Sequence, residues 1–376
     1  MADRLNPTSD TMSPGFPIWT HCTVRLVKLA TVQALAAAHG RDPEPYRLLT
    51  FVALHVDNDL DTVVGWGECS ALNRAGYTNE SAEGAFELLR AGTDFDAGRF
   101  PMAASALDMA ALDADLRRAG QSLADRLGTT GTWAIAGGVV GLGPLPGVLD
   151  QVESLVDQGY RRIKCKIVPG GVTSVPTAVL ASFPEVELHV DANGSLDRDD
   201  LAEVQALHDI GVTAIEQPFA PGDTESAARL IERCPITVVA DEAVGSGDDV
   251  AALAFAGAAT AVSVKPPRLG GVGAALEVIG QAGRLGLAAA IGGMLESGLG
   301  RHVLAALAPL PQFSVVGDLS PARRWLAADP FPDIALRRGR IAAPKRIGIA
   351  GDPDLAVLER HTVRAAIVAV APRRHG

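Results

Sequence analysis

Five charged residues recur along this chain at one interval. Lys166, Asp191, Glu216, Asp241 and Lys265 lie 25, 25, 25 and 24 residues apart. Each closes a short apolar run: RIKCK, ELHVD, TAIE, TVVAD and AVSVK. The interval is that of one strand-plus-helix unit, so each charge belongs at the C-terminal end of a successive strand. Three carboxylates brought together repel one another and lose hydration. A divalent cation relieves both penalties, and an all-oxygen donor set suits Mg²⁺, with Mn²⁺ as the alternative. The lysines at either end of the series then face each other across the cation. Burial beside a metal lowers an ammonium's pKa, which fits a lysine for proton abstraction near neutral pH. Salt bridges on a barrel rim account for one such residue more easily than for five in this order.

Neighbouring residues extend the set. Lys164 and Lys166 alternate on one strand, so both side chains point the same way. Two cations pointing inward are costly unless acids or a substrate anion answer them. Asn193, two residues past Asp191, shares its face and can support the site, or serve as a turn residue before Gly194. Glu242, next to Asp241, can pair with a lysine. Gly292 and Gly293 end a later run, where the lack of side chains lets a bulky acyl group approach the backbone. The segment 73–78, with Tyr77 in it, reads as a loop able to close over a substrate.

Eight apolar runs follow Gly128: WAIAGGVV, RIKCKIV, ELHVDAN, AIEQP, TVVADE, AVSVKP, AAAIGG and FSVVGD. Alternation with Ala/Leu-rich helices is the pattern of a parallel sheet buried on both faces, and eight units make a barrel. The fold class is therefore α/β: a (β/α)7–8 TIM-type barrel over residues 129–320, with an α+β capping domain. Residues 1–20 read as a disordered lead lacking the apolar stretch of a signal peptide. Residues 21–128 read as the cap: TVRLVKLAT, RLLTFVALHV and TVVGWGEC form an antiparallel meander, with a polar turn over 57–61. Helical patterns follow over 80–92 and 103–127, the second with Leu107, Ala110, Ala111 and Leu116 at helical spacing. Residues 321–376 lose the repeat, contain β-like RIAAP, and are expected to return to the cap.

The chain of 376 residues is 48% hydrophobic, enough for a large core, and carries a net charge of −11. That balance excludes a basic nucleic-acid footprint and docking on an anionic membrane. No apolar run is long enough to span a bilayer. Four scattered cysteines, Cys22, Cys69, Cys165 and Cys234, fit reduced thiols in the cytoplasm.

Taken together, Lys164-x-Lys166, Asp191-x-Asn193, Glu216-Gln217-Pro218, Asp241-Glu242 and Lys265-Pro266 resemble the enolase superfamily, in its muconate-lactonizing subgroup. Gly65-Trp66-Gly67-Glu68 and Leu107-Asp108-Met109-Ala110 resemble landmarks of its cap. The resemblance implies that Asp191, Glu216 and Asp241 hold Mg²⁺, that Lys166 is the base, and that Lys265 stands on the opposite face. It implies that Lys164 tunes Lys166 or binds the substrate carboxylate. Such sites pair a lysine base with a metal-stabilised enediolate.

The stretches Gly292-Gly293-Met294-Leu295-Glu296-Ser297 and Gly317-Asp318-Leu319-Ser320 are similar to those of o-succinylbenzoate synthases and N-succinylamino acid racemases. This implies Asn193, Gly292, Gly293 and Met294 as substrate contacts, with Glu242 and Glu296 in support. The expected reaction is dehydration of a cyclohexadienol carboxylate to an aromatic acid in menaquinone synthesis. The alternatives are racemisation of an N-acylamino acid and, further off, muconate-type cycloisomerisation. Dipeptide epimerases carry Asp-x-Asp where this chain has Asp318-Leu319-Ser320, which counts against a dipeptide. The partner is a small-molecule carboxylate, and a homo-oligomer is compatible with the reading.

Overall fold

The computed structural model describes residues 18–32, 36–37, 40–41, 44–57 and 62–369. The lead up to Pro17 and most of the turn read over 57–61 lie outside the described residues. Ile18 to Thr20, assigned above to the lead, instead begin the first strand.

The cap is built on β1 (Ile18–Ala30), β4 (Tyr46–Asp57) and β5 (Thr62–Cys69), the expected meander; short β2 (Ala36–Ala37) and β3 (Gly40–Arg41) pair between them. Strand alternation assigns the two faces of this sheet. Cys22, Val24, Leu26, Val52 and Leu54 pack with Phe86 and Leu89 of α1 (Ala82–Ala91) and with Ala103, Ala106 and Ala110 of α2 (Pro101–Arg118). Val27, Leu29, Leu49, Phe51 and Trp66, on the other face, join the barrel core.

Gly65 and Gly67 are glycines for close packing. A Cβ there would stand 2.0 Å from Ala110 O and 1.9 Å from Ala106 O, so α2 lies directly on the strand. The long helix expected over 103–127 breaks after Arg118. Gly120 takes φ 64, and a Ser122/Asp125 capping box opens the short α3 (Leu123–Leu127). The first helix starts at Ala82, after Glu80, because Ser81 caps it by accepting from Gly84 N; the Glu80 carboxylate accepts from Met102 N and Ala103 N and caps α2 instead.

Seven parallel strands follow in order: β7 (Gly137–Val140), β8 (Arg162–Lys166), β9 (Glu187–Asp191), β10 (Ala214–Glu216), β11 (Thr237–Ala240), β12 (Ala261–Val264) and β13 (Ala288–Ile291). Helices α4 (Leu145–Asp157), α5 (Ser174–Ser182), α6 (Leu201–Asp209), α7 (Thr224–Arg233), α8 (Gly247–Phe255), α9 (Pro266–Leu269), α10 (Val272–Arg284) and α11 (Gly298–Leu307) cover them.

The eighth run, FSVVGD, closes the ring without forming a regular strand. Val315 N donates to Ala289 O and Asp318 N to Ile291 O, while Gly137 N donates to Leu319 O. A Cβ on Gly317 would stand 2.0 Å from Ile291 O, and one on Gly137 2.0 Å from Gly317 O, so glycine permits this close seam.

WAIAGGVV is two strands rather than one. Ala136 N turns to Gly339 O, and the chain changes partner there. Upstream, β6 (Trp133–Ile135) pairs with β15 (Arg340–Ala342), itself paired with β14 (Leu336–Arg337). After α12 (Leu355–His361), β16 (Thr362–Ala369) pairs with β1 in the cap sheet. Among the described residues no helix is long and apolar enough to cross a membrane.

Candidate active site

The regular interval of the charged residues becomes a register in the barrel. Lys166 lies beside Asp191, and Asp191 beside Glu216, as paired positions of adjacent strands. Asp241 and Lys265 follow one residue after β11 and β12. All five side chains are buried. A cleft open to solvent is lined by Val139, Lys164, Lys166, Asp191, Glu216, Lys265 and Gly293. Leu295, Arg301, Asp318, Ser320 and Trp325 complete its far wall.

On one side, Lys166 Nζ donates to Asp191 Oδ2 at 2.6 Å and to Asn193 Oδ1 at 2.7 Å. Asn193 takes φ 47, a turn conformation suited to Asn, and its Nδ2 donates to Glu242 Oε1 at 3.0 Å. Lys164 Nζ lies 2.7 Å from both Glu216 Oε2 and Asp318 Oδ2. On the other side, Lys265 Nζ donates at 2.6 Å to Asp241 Oδ2 and to Tyr77 OH. Arg268 donates to Tyr77 OH and to Asp241 O, and the Tyr77 hydroxyl donates to Asp241 Oδ2 at 3.0 Å. The cap loop thus reaches the barrel mouth at Tyr77.

Burial pulls the Lys265 ammonium down, but Asp241 and Tyr77 outweigh it and hold its pKa well above the usual lysine range. Lys164 is likewise raised: burial opposes it, and Asp318, Glu216 and Asp191 prevail. At these two lysines the paired carboxylates outweigh burial. Burial would raise Asp191, yet Lys166 and Lys164 hold it below the usual carboxylate range. Glu216 is pushed up to about 8 by burial and by Asp191, Asp241 and Asp318, against the pull of Lys164.

Among the described residues no three His, Cys, Asp or Glu side chains already surround a common point. The carboxylates are turned onto ammoniums instead. Their chemistry nevertheless fits a hard divalent cation. Arg268 Nη1 stands 3.0 Å from Asp241 Oδ1 but outside hydrogen-bonding geometry, so this buried oxygen accepts no hydrogen bond. Burial, with like charge beside it, makes Glu216 resist ionisation, and added positive charge among these oxygens relieves both features.

The wall after β13 differs from expectation in two places. A Cβ on Gly292 would stand 2.6 Å from Lys265 Cγ, so this glycine makes room for the lysine stem; its N–H is bound to Val264 O. Met294 turns its side chain into the cap core, and Leu295, at φ 58, faces the cleft in its place. The cap holds this wall: Arg47 Nη2 donates to Met294 O at 3.2 Å, and Glu68 accepts from Ser297 N and Ser297 Oγ. Glu296 accepts from Met294 N at 2.6 Å and pairs with Arg301 at 3.1 Å.

Arg162, Arg268 and Asp318 were not among the expected site residues. Arg162 had a signal, since Arg162-x-Lys164-x-Lys166 continues the alternation by one step. Arg268 follows Lys265 by one turn of α9.

The Enolase C-terminal domain-like family matches residues 147–357. The chain is 32% identical over 325 residues to an o-succinylbenzoate synthase of Bacillus subtilis, covering 81% of this chain and 88% of that protein. It is 34% identical over 313 residues to an N-succinylamino acid racemase of Amycolatopsis, covering 77% and 85%. A solved enolase-superfamily member from Listeria innocua superposes with TM-score 0.84 at 27% identity, over 94% of this chain and 100% of that one.

Proposed function

The chain belongs to the enolase superfamily, and from that premise we propose that it is an o-succinylbenzoate synthase, a lyase. It would dehydrate 2-succinyl-6-hydroxy-2,4-cyclohexadiene-1-carboxylate to 2-succinylbenzoate, a cytoplasmic step of menaquinone synthesis. Relatives bearing that name match most of the chain. Asp191, Glu216 and Asp241 would hold Mg²⁺ (or Mn²⁺), which supplies positive charge for the substrate carboxylate as it gains electron density, as in enolase-superfamily sites generally.

Lys166 is the base. It takes the proton from the ring carbon bearing the carboxylate, and Asp191 and Asn193 aim its amine. The C–O bond to the ring hydroxyl then breaks with its electron pair, and the proton held on Lys166 passes to that oxygen. Water leaves and the ring becomes aromatic, so protons and electrons balance. Lys265 stays charged opposite, where a cation over the ring stabilises the developing negative charge. Leu295 and Trp325 provide an apolar wall for the ring and succinyl chain.

The observation that carries this reading over racemisation is the way Lys265 is held. A racemase needs a proton acceptor on each face of the carbon. Here Lys265 is held at 2.6 Å by both Asp241 and Tyr77 OH, with Arg268 bound to the same hydroxyl, whereas Lys166 is held by one carboxylate and one amide. Purified protein with Mg²⁺ should convert the cyclohexadienol, followed by ultraviolet absorbance. Absent turnover, with fast racemisation of N-succinyl amino acids by polarimetry, would replace this reading with the racemase.

A further inference from the structure

Both oxygens of Asp318 are taken. Oδ1 accepts from Arg162 Nη1 at 2.6 Å, and Oδ2 accepts from Lys164 Nζ at 2.7 Å. Arg162 is anchored in turn, since its Nε donates to His189 Nδ1 at 2.9 Å. A guanidinium cannot accept, so Nδ1 is bare and the His189 proton sits on Nε2, 3.0 Å from Glu187 Oε1. Five side chains, from half-exposed Glu187 at the start of β9 to Lys164 in the cleft, therefore form one polar spine through the barrel.

The spine ends on a contested atom. Lys164 Nζ stands 3.4 Å from Asp191 Oδ2, the same oxygen that accepts from Lys166 Nζ at 2.6 Å. Two lysine nitrogens address one carboxylate oxygen, and the pull on Lys164 from its other side decides which of them holds it. We propose that Asp318, fixed by Arg162, is a positioning residue that draws the Lys164 ammonium away from Asp191, leaving Asp191 free to orient Lys166 and to ligate a cation. Without the Asp318 charge, the acids left near Lys164 are Glu216 and Asp191, both assigned above to the metal. This inference rests on the roles given to Lys166 and to those carboxylates under the proposed function.

A purely structural ion pair would affect stability without acting through Lys164. A double-mutant cycle separates the two cases, read by Mn²⁺ affinity from water-proton relaxation and by steady-state kinetics. Asp318→Asn should weaken Mn²⁺ by at least about fivefold and lower kcat by about 30-fold or more, with KM within about threefold. Asp318→Glu, which keeps the charge, should recover most of both. In a Lys164→Met background, Asp318→Asn should change Mn²⁺ affinity by clearly less than it does alone. Equal factors in both backgrounds, or an Asp318→Asn protein that matches wild type, would overturn the proposal. Should Asp318→Asn fail to fold because Arg162 is left unpaired, Arg162→Met/Asp318→Asn removes both charges and carries the same expectations. If the wild type does not dehydrate the cyclohexadienol, the proposed function fails, while the Mn²⁺ cycle still decides the role of Asp318.

Discussion

The two sides of the cleft are built differently. Lys166 is held by barrel residues alone, through one carboxylate and one amide. Lys265 is held by the barrel and the cap together, because Tyr77 closes onto it beside Asp241 and Arg268. Each lysine has one carboxylate partner, but the first adds only a neutral amide from the same domain, while the second adds a hydroxyl that Arg268 also binds. The second fixes a cation. A pair of equivalent bases would call for similar surroundings on both faces, and the asymmetry supports one base opposite one fixed charge.

Asp241 is where the Lys265 side breaks most completely. Asp241→Asn removes a proposed cation oxygen and also strands Lys265 and Arg268 without their shared counter-charge. We expect kcat/KM to fall by about 10³-fold or more, and half-saturating Mg²⁺ to rise at least about tenfold, in a metal titration of the rate. An unchanged Mg²⁺ dependence would remove Asp241 from the ligand set.

Tyr77→Phe is the subtler probe, since it removes only the cap's hydroxyl from Lys265. The expected loss in kcat is about three- to tenfold. A loss as large as that of Asp241→Asn would make Tyr77 a participant in the chemistry, and no loss would make the cap contact incidental.

The smallest effect concerns how the cap grips the wall after β13. Burial raises the Glu68 carboxyl to about 7, against the hydrogen bonds from Ser297. A folded-state pKa above the unfolded one means that this group's stabilisation is full below about pH 4 and is lost as pH rises through about 7. Melting temperature should therefore drop by about a few degrees between pH 5 and pH 8, and Glu68→Gln should flatten that slope. An identical slope in the variant would place the titration elsewhere.

How much of this was legible depended on distance along the chain. The barrel and its charged strand ends show in the sequence because each unit repeats the same run, with the same charge position, at nearly constant spacing. The cap meander shows for a related reason, since its β-type runs and polar turn are local. Contacts made by folding back left no local trace: Tyr77 meets Asp241 across 164 residues, and Arg162 meets Asp318 across 156. Met294 was misjudged because a glycine-rich loop has no periodicity to say which side chain faces the cleft. The break inside WAIAGGVV was hidden because it is set by Gly339, a residue 203 positions after Ala136 (339 − 136).

The most direct test is the dehydration rate of Lys166→Ala beside that of Lys265→Met, followed by ultraviolet absorbance with saturating Mg²⁺. One base opposite one fixed cation predicts a loss of at least about 10³-fold for Lys166→Ala and only about 10- to 100-fold for Lys265→Met. Equal losses, or a larger one at Lys265, would contradict the assignment of Lys166 as the base.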